Sequence, residues 1–528
     1  MPFSEQKQFF SAFLILALGG LLFYVSQPLL PRKLFAESDP GAHIVMDSLM
    51  LQAMSEQEQD SAIIEVAVPV VSSDTISKPK ESVVKATSAV QTQLINLHAF
   101  DFNLSHPADS TGKAVIPQPI PLSGYKGVKY LSSFFEKLYA LENGSQGQVR
   151  IAYYGDSMID GDLIVQDFRS AMQDRFGGRG VGFVPMVSES ARSRYSVKHY
   201  AKGNWKEHNY MGGRSESISF GVNGGVYFAK DSTAQVKYLA SGIKNAYRLN
   251  SPRLFYGPGR PDANLQLRID KDTLTTDIPL NGPGLFNSVN LSSDNVKRVE
   301  LDFAQAQDLP IYGIDFSNGV GVAVDGFSNR GNSGMPLALL NPQLMNDFDQ
   351  VLGYDLIILQ FGANVLSTKA NSFNWYARRM IRVVEHLHQT FPKAAILILG
   401  TADKGTKNEQ QVRTDSTVVR LLRSQQQYAA NTQSGFLSLF HLMGGPNSMQ
   451  VWTDHKLANA DYTHFSPQGS RKIGRLIFQE MMLGYSDYVK AENLRQEERK
   501  KQEQLLRQQD SLKQLELQQS NDSLKPKP

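Results

Sequence analysis

The tripeptide Gly155-Asp156-Ser157 stands at a junction in the sequence RIAYYGDSMIDGDLI, between an apolar, strand-like run and a helix-like segment. A serine at such a junction is either a turn residue or a nucleophile. A serine hydroxyl becomes a useful nucleophile when a base takes its proton, an acid orients that base, and hydrogen-bond donors stabilise the oxyanion. The choice between the two roles therefore depends on whether these other groups occur elsewhere in the chain.

A base and an orienting acid are present near the end of the chain. Asp461 and His464 lie three residues apart in ANADYTHFSPQGS, in a predicted loop before a predicted helix. This spacing allows the carboxylate to bond one imidazole nitrogen while the other nitrogen faces a serine. The alternative is a surface turn with an incidental histidine, and the pair taken alone favours that alternative.

Two further segments offer donors for an oxyanion. Gly362 and Asn364 follow an apolar strand in DLIILQFGAN, and ligand sites of open α/β sheets gather at the carboxyl ends of the strands. An N–H of the Asn364 side chain can donate there. Gly331 and Gly334 lie in SNRGNSGMPLALL before a helix, and a glycine lets its backbone N–H come close to a substrate. An ordinary loop is the alternative for this second segment.

Taken together, these segments resemble the four conserved blocks of the SGNH, or GDSL-type, hydrolases, in the order G-D-S, Gly loop, G-x-N and D-x-x-H. The resemblance implies Ser157 as the nucleophile, His464 as the base and Asp461 as the residue that orients it. It also implies an oxyanion hole formed by the backbone N–H groups of Ser157 and Gly334 and the side chain of Asn364. The chain lacks the G-x-S-x-G motif of the α/β-hydrolases.

A closer resemblance is to the bacterial peptidoglycan O-acetylesterases. In that branch G-D-S leads into an apolar-acidic segment, a helix and a glycine-rich loop, which GDSMIDGDLI and RFGGRGVGF match. The branch also carries a carbohydrate-binding-like β module between the serine and the oxyanion glycine. The match is incomplete or open at three positions: Met158 stands where the branch commonly has His, Val365 stands where an acid often follows the asparagine, and Gly331 is an alternative to Gly334. Asp160 and Asp162 are expected to place negative charge at the start of the helix that follows.

The apolar pattern predicts the elements that position these segments. Buried strands over QVRIAYYG, DLIILQ and AAILILG alternate with amphipathic helices at Asp162–Phe176 and Asn374–Phe391, which predicts a parallel sheet covered on both faces. From about Arg194 to Asn318, short alternating segments separated by turn residues predict an all-β sandwich. We therefore expect an α/β fold interrupted by a β insert, and the resemblance implies a three-layer, flavodoxin-like hydrolase domain.

The two ends of the chain differ from this middle region. Phe9–Leu30 carries no charge and is long enough to cross a bilayer, which favours an uncleaved anchor over a signal peptide. A Ser-, Thr- and Pro-rich stretch predicts a flexible tether, and the last residues predict a solvated helix or a disordered tail. The predicted division is an anchor at 1–35, a tether at 36–122, a first hydrolase segment at 123–193, the β insert at 194–320, a second hydrolase segment at 321–486 and the tail at 487–528.

Composition narrows the classes of partner and cofactor. The 528 residues carry a formal net charge of +3, which gives no reason to expect nucleic acid as a partner. The chain has no cysteine, so a Cys nucleophile and thiolate metal sites are excluded. His386 and His388 are two apart on a predicted helix and point to different sides, so we expect no metal, and we expect no cofactor. Trp205, Tyr227 and Tyr256 could stack on a sugar, although core packing explains each of them better.

We therefore expect a membrane-anchored serine esterase that removes O-acetyl groups from an envelope glycan, with peptidoglycan as the implied substrate. Two alternatives stay open: an O-acetyltransferase acting with a membrane acyl-donor partner, and a non-catalytic glycan-binding envelope protein. We expect the chain after about Arg32 to lie in the periplasm or another extracytoplasmic space, because a long tether suits a distant polymer. Arg32 and Lys33 by themselves favour the opposite orientation.

Overall fold

The computed structural model describes residues 46–54, 100–102, 104–110, 112–215, 217–368, 370–408 and 411–523. The segment Phe9–Leu30, predicted as a membrane anchor, lies outside these ranges. Within them, no helix combines the length and the apolar character that crossing a bilayer requires.

The strands and helices are numbered in chain order from residue 123 onward. The strands are β1 Gln148–Gly155, β2 Gly182–Val184, β3 Val197–Lys202, β4 Trp205–Asn209, β5 Gly225–Ala229, β6 Gln235–Ala240, β7 Leu249–Asn250, β8 Arg253–Tyr256, β9 Asn264–Ile269, β10 Thr276–Pro279, β11 Asn287–Asn290, β12 Asn295–Val296, β13 Arg298–Gln305, β14 Ile311–Phe316, β15 Gly321–Ser328, β16 Tyr354–Gln360, β17 Ala395–Gly400, β18 Gly405–Asn408, β19 Gln411–Thr414 and β20 Gly435–Ser438. The α-helices are α1 Ser132–Glu142, α2 Leu163–Phe176, α3 Pro342–Leu352, α4 Ala363–Leu366, α5 Asn374–Thr390, α6 Thr417–Asn431, α7 Leu439–Met443, α8 Ser448–Asp454 and α9 Pro467–Ser523. Short 3₁₀ turns cover Val128–Leu131, Ser157–Asp162, Ala191–Ser193, Tyr210–Gly212 and Met335–Leu339.

Five strands form an all-parallel sheet in the order β15-β1-β16-β17-β20. Their sequences are nearly continuous apolar runs, as expected when both faces of a parallel sheet are covered. Numbered along the chain, the order is 2-1-3-4-5, the flavodoxin-like order, in which the topological switch point lies between the first and third strands. The predicted α/β fold with a parallel sheet is confirmed, and its switch point lies between β1 and β16.

Side chains alternate across β1 and enter two separate cores. Ile151 and Tyr153 pack with residues of α1, α2 and α9 on one face. Ala152 and Tyr154 pack with residues of α3, α5 and α6 on the other. All four side chains are fully buried. The region around the parallel sheet therefore has three layers, with helices on both sides of the sheet.

The β insert consists of two antiparallel sheets, in the orders β10-β9-β13-β6-β3 and β11-β8-β14-β5-β4. The strand β2, which begins in the predicted glycine-rich loop RFGGRGVGF, pairs with β14 and extends the second sheet. One apolar core contains Tyr238 and Leu301 from the first sheet and Leu254 and Ile314 from the second. The insert is therefore a β-sandwich.

Three aromatic residues of the insert were candidates for a sugar platform. Tyr227 and Tyr256 are only 3% and 5% exposed and belong to the sandwich core. The ring of Trp205 packs edge-on against Phe303, with 5.1 Å between the ring centres. Core packing, the alternative explanation, therefore accounts for all three positions.

A buried ion network joins the insert to the parallel sheet. Arg150 of β1 is 1% exposed and bonds Asp315 of β14 at 2.6 Å and Asp325 of β15 at 2.8 Å. Burial by itself raises the pKa of Asp315, but the charge of Arg150 and the hydrogen bonds from Arg150 and Ser317 together outweigh burial and lower it. Removing the arginine or an aspartate would leave a buried charge without its partner. The resulting loss in the free energy of unfolding is far larger than the contribution of an exposed ion pair.

Two described stretches of the predicted tether pack against the rest of the protein. Residues 48–54 are helical, and Met50 is fully buried in the core beside α3 and α5. Phe100 packs edge-on against Phe440, with 5.3 Å between ring centres. The prediction of a flexible tether over 36–122 is wrong for these stretches, because a polar average composition conceals short apolar groups that a neighbouring core can bury.

The helix predicted after the loop of Asp461 and His464 is long: α9 runs from Pro467 to Ser523. Near its start, Ile473 and Ile477 are fully buried. Further along, Leu505 and Leu512 are 57% and 60% exposed. The predicted tail is therefore helical as far as residue 523, and its side chains at Leu505 and Leu512 are solvated, which agrees with one of its two predicted forms.

Candidate active site

Ser157 lies at the carboxyl end of β1, at the switch point of the parallel sheet. Gly155 ends the strand, and a Cβ there would lie 2.9 Å from the side chain of Ile159 and 3.0 Å from the carbonyl oxygen of Gln360. Asp156 then caps the 3₁₀ turn by accepting the N–H of Met158 at 2.9 Å. This tight strand-to-turn junction presents the Ser157 hydroxyl at the sheet edge where ligands bind in such folds.

Ser157, His464 and Asp461 form a continuous hydrogen-bonded series. The distance from Ser157 Oγ to His464 Nε2 is 2.9 Å, and His464 Nδ1 lies 2.7 Å from Asp461 Oδ2. The other carboxylate oxygen accepts the backbone N–H groups of Thr463 and His464, each at 3.0 Å. Since an ionised carboxylate only accepts, the imidazole proton lies on Nδ1 and Nε2 is left to accept the serine proton.

The charges of the pair reinforce each other. The hydrogen bond with Asp461 raises the pKa of His464, against partial burial, which lowers it. Burial would raise the pKa of Asp461, but its bonds from the His464 side chain and backbone hold it below the usual range. An imidazole supported in this way is a stronger base toward a serine hydroxyl.

Asp156 is a charged member of the site that sequence reasoning treated only as part of the G-D-S motif. Burial raises its pKa to about 6, although the N–H of Met158 and the charge of His464 act in the opposite direction. Its carboxylate also lies 3.4 Å from Asn364 Nδ2. The sequence feature that could have indicated this role is the position of Asp156 between a strand end and the serine. A short acidic side chain at that position lies close to the loop that follows the neighbouring strand.

The predicted oxyanion donors lie in adjoining loops. Asn364 follows β16, is 9% exposed, and donates Nδ2 to the Asn332 carbonyl at 3.0 Å, the shorter of its two contacts. The Gly334 N–H donates to Asn332 Oδ1 at 2.8 Å. Gly334 has φ +93, and a Cβ there would meet Phe361 at 2.8 Å. Both donors are bonded to oxygens of Asn332, so a substrate oxygen would have to replace Asn332 as their acceptor. The oxyanion role of Asn364 and Gly334 therefore stays a prediction, and so does that of the alternative Gly331.

Two regions of the chain that sequence reasoning did not connect with the site hold the glycine loop. The hydroxyl of Tyr210, from the insert, accepts the side-chain N–H groups of Asn329 at 3.3 Å and Asn332 at 3.1 Å. Asp47 is fully buried and accepts the backbone N–H of Ser333 at 2.7 Å. Tyr210 and Asn332 are 122 residues apart in the sequence, and Asp47 and Ser333 are 286 apart, so no local sequence pattern predicts these contacts.

Asp160 and Asp162 lie at the start of α2 as predicted, with Asp162 as its N-cap residue, but both carboxylates bond arginines. Asp162 is buried and bonds Arg169 at 2.7 Å, and it makes no capping hydrogen bond to α2. Asp160 bonds Arg330 at 2.6 Å at the edge of the glycine loop. A guanidinium within bonding distance is a stronger partner for a carboxylate than the partial charge of a helix end.

This arrangement has the groups that acyl transfer through a serine requires. His464 can take the proton of Ser157 and later return it to a leaving group, while Asp461 keeps the imidazole oriented. Amide donors near Ser157 can stabilise negative charge on a carbonyl oxygen. Since His464 and Asp461 are 39% and 48% exposed, the reacting atoms lie within reach of a large substrate.

The fold is similar to that of a solved peptidoglycan O-acetylesterase, with 21% sequence identity, a TM-score of 0.54 and an overlap covering 67% of this chain and 96% of that chain. The chain therefore shares the fold of that structure, with its parallel sheet in the order 2-1-3-4-5. An acetyl xylan esterase (16% identity, 30% of this chain, 81% of that chain, TM-score 0.24) and a family-two carbohydrate esterase from Cellvibrio japonicus (11%, 56%, 99%, TM-score 0.24) overlap it too loosely to support an inference. No protein-family model and no curated protein matches the sequence.

At 21% identity, the likeness to the peptidoglycan O-acetylesterase concerns the fold. The chemistry of this chain therefore has to follow from its own site, in which the serine, the imidazole and the carboxylate are joined by hydrogen bonds of 2.9 and 2.7 Å.

Proposed function

We propose that the protein is a serine esterase that removes O-acetyl groups from a glycan of the cell envelope, with peptidoglycan as the first candidate. The observation that carries the proposal is the hydrogen-bonded series from Ser157 through His464 to Asp461 at the switch point of an SGNH fold. The choice of glycan is supported by the similar solved structure, which is that of a peptidoglycan O-acetylesterase.

In the proposed reaction, Ser157 Oγ attacks the acetyl carbonyl carbon while His464 Nε2 takes the hydroxyl proton. The C–O bond to the sugar then breaks, and the sugar oxygen leaves with the proton from His464, so that an acetyl-serine remains. Water, deprotonated by His464, attacks this ester and releases acetate, and Ser157 recovers its proton. Asn364 and the glycine loop act when negative charge develops on the carbonyl oxygen, which is where donors lower the barrier.

The test is hydrolysis of p-nitrophenyl acetate by the full chain and by Ser157→Ala. We expect the variant to lose about 10⁴-fold or more in kcat/KM, the scale of nucleophile removal in serine hydrolases. Ser145→Ala, in the exposed turn before β1, is the matched control and should behave as the wild type. Equal activity of Ser157→Ala and wild type would refute the proposal.

A reaction with the acetylated polymer distinguishes hydrolysis of the acetyl ester from transfer of an acetyl group to the glycan. Incubation with O-acetylated peptidoglycan should release free acetate and lower the mass of the glycan fragments by one acetyl group for each acetate released. A gain of acetyl groups on the glycan in the presence of an acyl donor would replace the esterase with an O-acetyltransferase.

We also propose that the uncharged segment Phe9–Leu30 anchors the protein and that the hydrolase region lies on the outer side of that membrane. The support is the apolar sequence and the extracytoplasmic position of envelope glycans. Protease added to spheroplasts should remove the hydrolase region while a cytoplasmic marker survives. Protection of the hydrolase region until the membrane is lysed would contradict this topology.

A further inference from the structure

A short helix near the start of the described chain packs beside the glycine loop, residues 329–334. Residues 48–54 form this helix, and Met50 on it is fully buried in the core beside α3 and α5. A Cβ added to Gly213 would lie 3.1 Å from the Ser48 hydroxyl oxygen, so the helix also meets the turn that carries Tyr210. We call residues 46–54 the docked segment. It lies where the insert, the core and the glycine loop come together.

Asp47 caps the helix of the docked segment and holds the glycine loop at the same time. Its Oδ1 accepts the N–H of Met50 at 2.8 Å, as an N-cap does, and its Oδ2 accepts the N–H of Ser333 at 2.7 Å. Serine or asparagine would cap the helix about as well, but only a carboxylate has a second acceptor oxygen for the loop. Helix capping therefore explains one oxygen of Asp47 and leaves the bond to Ser333 to be explained.

The side chain of Asp47 is fully buried. Burial raises its pKa, and the hydrogen bonds from Ser333 and Met50 lower it. A buried carboxylate is costly to keep unless its oxygens are bonded. Since capping alone does not require a buried acid, the second oxygen of Asp47 points to a role in the loop.

The bond from Ser333 fixes one peptide group of the glycine loop. The N–H of the peptide between Asn332 and Ser333 donates to Asp47, and the carbonyl of the same peptide accepts Asn364 Nδ2 at 3.0 Å. The next carbonyl, that of Ser333, accepts the Tyr376 hydroxyl at 2.7 Å. Hydrogen bonds in series polarise and strengthen one another. Asp47 and Asn364, the predicted oxyanion donor, therefore hold opposite sides of one peptide group.

The Asn332 carbonyl determines where the amide of Asn364 points in the resting site. A substrate oxygen that replaces this carbonyl meets a correctly directed donor only if the carbonyl itself is fixed. Donors aimed in advance cost no reorganisation during the reaction, and a displacement of about 1 Å can cost about 10²-fold in rate. Loss of Asp47 would leave the buried N–H of Ser333 without this acceptor, so the peptide would turn to find another.

We propose that Asp47 is a positioning residue for the oxyanion site, and that the docked segment is part of the catalytic unit. Asp47 acts through the peptide between Asn332 and Ser333, which directs Asn364, and not on the reacting atoms. The inference rests on the proposed function in one respect, that Asn364 stabilises an oxyanion formed at Ser157. Displacing the docked segment from the loop would therefore slow the esterase while leaving the triad intact.

The test is the kinetics of p-nitrophenyl acetate hydrolysis by full-chain variants. We expect Asp47→Ala to lower kcat by about 10- to 100-fold with little change in KM, because the misdirected amide acts on charge that develops in the transition state. Asp47→Asn keeps one acceptor oxygen and should lose less. Leu51→Ala removes a side chain of the same helix that is 54% exposed, and it should behave as the wild type.

A double-mutant cycle with Asn364→Ala separates positioning from a loss of stability. Because Asp47 acts through Asn364, the fold-loss of kcat caused by Asp47→Ala should be at least about threefold smaller in the Asn364→Ala background than in the wild type. Ile477→Val, in the core on the other face of the sheet, is the destabilised control, and it should lower the melting temperature but not kcat. Wild-type kcat in Asp47→Ala, or the same fold-loss in both backgrounds, would overturn the inference.

Hydrogen exchange of the glycine loop, followed by mass spectrometry, needs no turnover. Asp47→Ala should speed exchange of the loop amides, and Leu51→Ala should not. A chain that leaves p-nitrophenyl acetate intact yet shows this faster exchange refutes the esterase and retains the hold of Asp47 on the loop. A chain that hydrolyses the ester through Ser157, with unchanged kcat in Asp47→Ala, retains the esterase and refutes the positioning role.

Discussion

Replacing Asp461 by asparagine should impair the site in a way that the geometry specifies. The carboxylate uses one oxygen for the backbone N–H groups of Thr463 and His464 and the other for His464 Nδ1. An asparagine oxygen would keep the backbone bonds, and its NH₂ group would then face Nδ1. Two donors cannot face each other, so the imidazole proton would move to Nε2, where it blocks acceptance of the Ser157 proton.

The expected loss of kcat follows from the strength of the hydrogen bond between His464 and Asp461 and from its exposure to water. The charge-assisted bond alone is worth about 1.5–3 kcal/mol, which is roughly 10- to 150-fold in rate. Reversal of the tautomer in a buried triad brings the loss to about 10⁴-fold. Because the His464 and Asp461 side chains are 39% and 48% exposed, water screens their interaction. We therefore expect kcat for Asp461→Asn to fall by between about 10²- and 10⁴-fold.

The assay is the pH profile of kcat/KM with p-nitrophenyl acetate. In the wild type the bond to Asp461 raises the pKa of His464, and activity requires the neutral imidazole, so activity falls on the acid side of that raised value. In Asp461→Asn the residual activity should persist to lower pH. Asp454→Asn, which replaces an exposed acid bonded to Gln450 at 2.8 Å, is the matched control. A loss below about tenfold with an unmoved acid limb would refute the reasoning.

Three further predictions concern the oxyanion donor, a buried acid and the ion network. Asn364→Ala should lower kcat by about 10²–10³-fold with little change in KM, because in the proposed reaction its amide acts on charge that develops in the transition state. Burial raises the pKa of Asp403 to about 7, so its protonated form stabilises the native state below the unfolded value of 3.8, and this contribution disappears as pH rises through 7. The stability of the wild type relative to Asp403→Asn should therefore fall by on the order of 4 kcal/mol across that range in urea titrations. Arg150→Met should lower the free energy of unfolding by about 3–5 kcal/mol, because Asp315 and Asp325 would stay buried without a cation.

Each of these predictions has a contradicting result. An Asn364→Ala variant with wild-type kcat, while the exposed Asn431→Ala is also normal, would remove the amide from the oxyanion hole. A stability difference for Asp403→Asn that does not vary with pH would show that the carboxyl is ionised throughout. Loss of less than about 1 kcal/mol in Arg150→Met would mean that the network is solvated in the native state.

The parallel sheet could be predicted because its strands are long apolar runs separated by helices. In β16 and β17, for example, every residue is buried, and only a sheet covered on both faces requires such runs. The continuation of α9 past residue 485 was less predictable, because a polar sequence is compatible with both a solvated helix and a disordered chain. The tether prediction was wrong around Met50 because the apolar partners of that side chain come from distant regions of the chain.

Some residues of the candidate site could likewise be predicted from the sequence, and others could not. Ser157, Asp461 and His464 could be selected because each stands at a strand end or before a helix, where a short motif has a defined position. Tyr210 and Asp47 could not be selected, since their partners in the glycine loop lie 122 and 286 residues away. Local patterns predict elements and their ends, whereas contacts between distant loops follow from packing of the whole domain.

The measurement that tests the central claim most directly is the intact mass of the protein after treatment with an alkyl fluorophosphonate, followed by peptide mapping. A serine activated by His464 attacks phosphorus as it would attack an ester carbonyl. We expect one adduct per chain, located on Ser157, with none on Ser157→Ala and strongly slowed labelling of His464→Ala. Absence of an adduct on the wild type, or an adduct on a residue other than Ser157, would contradict the assignment of Ser157 as the nucleophile.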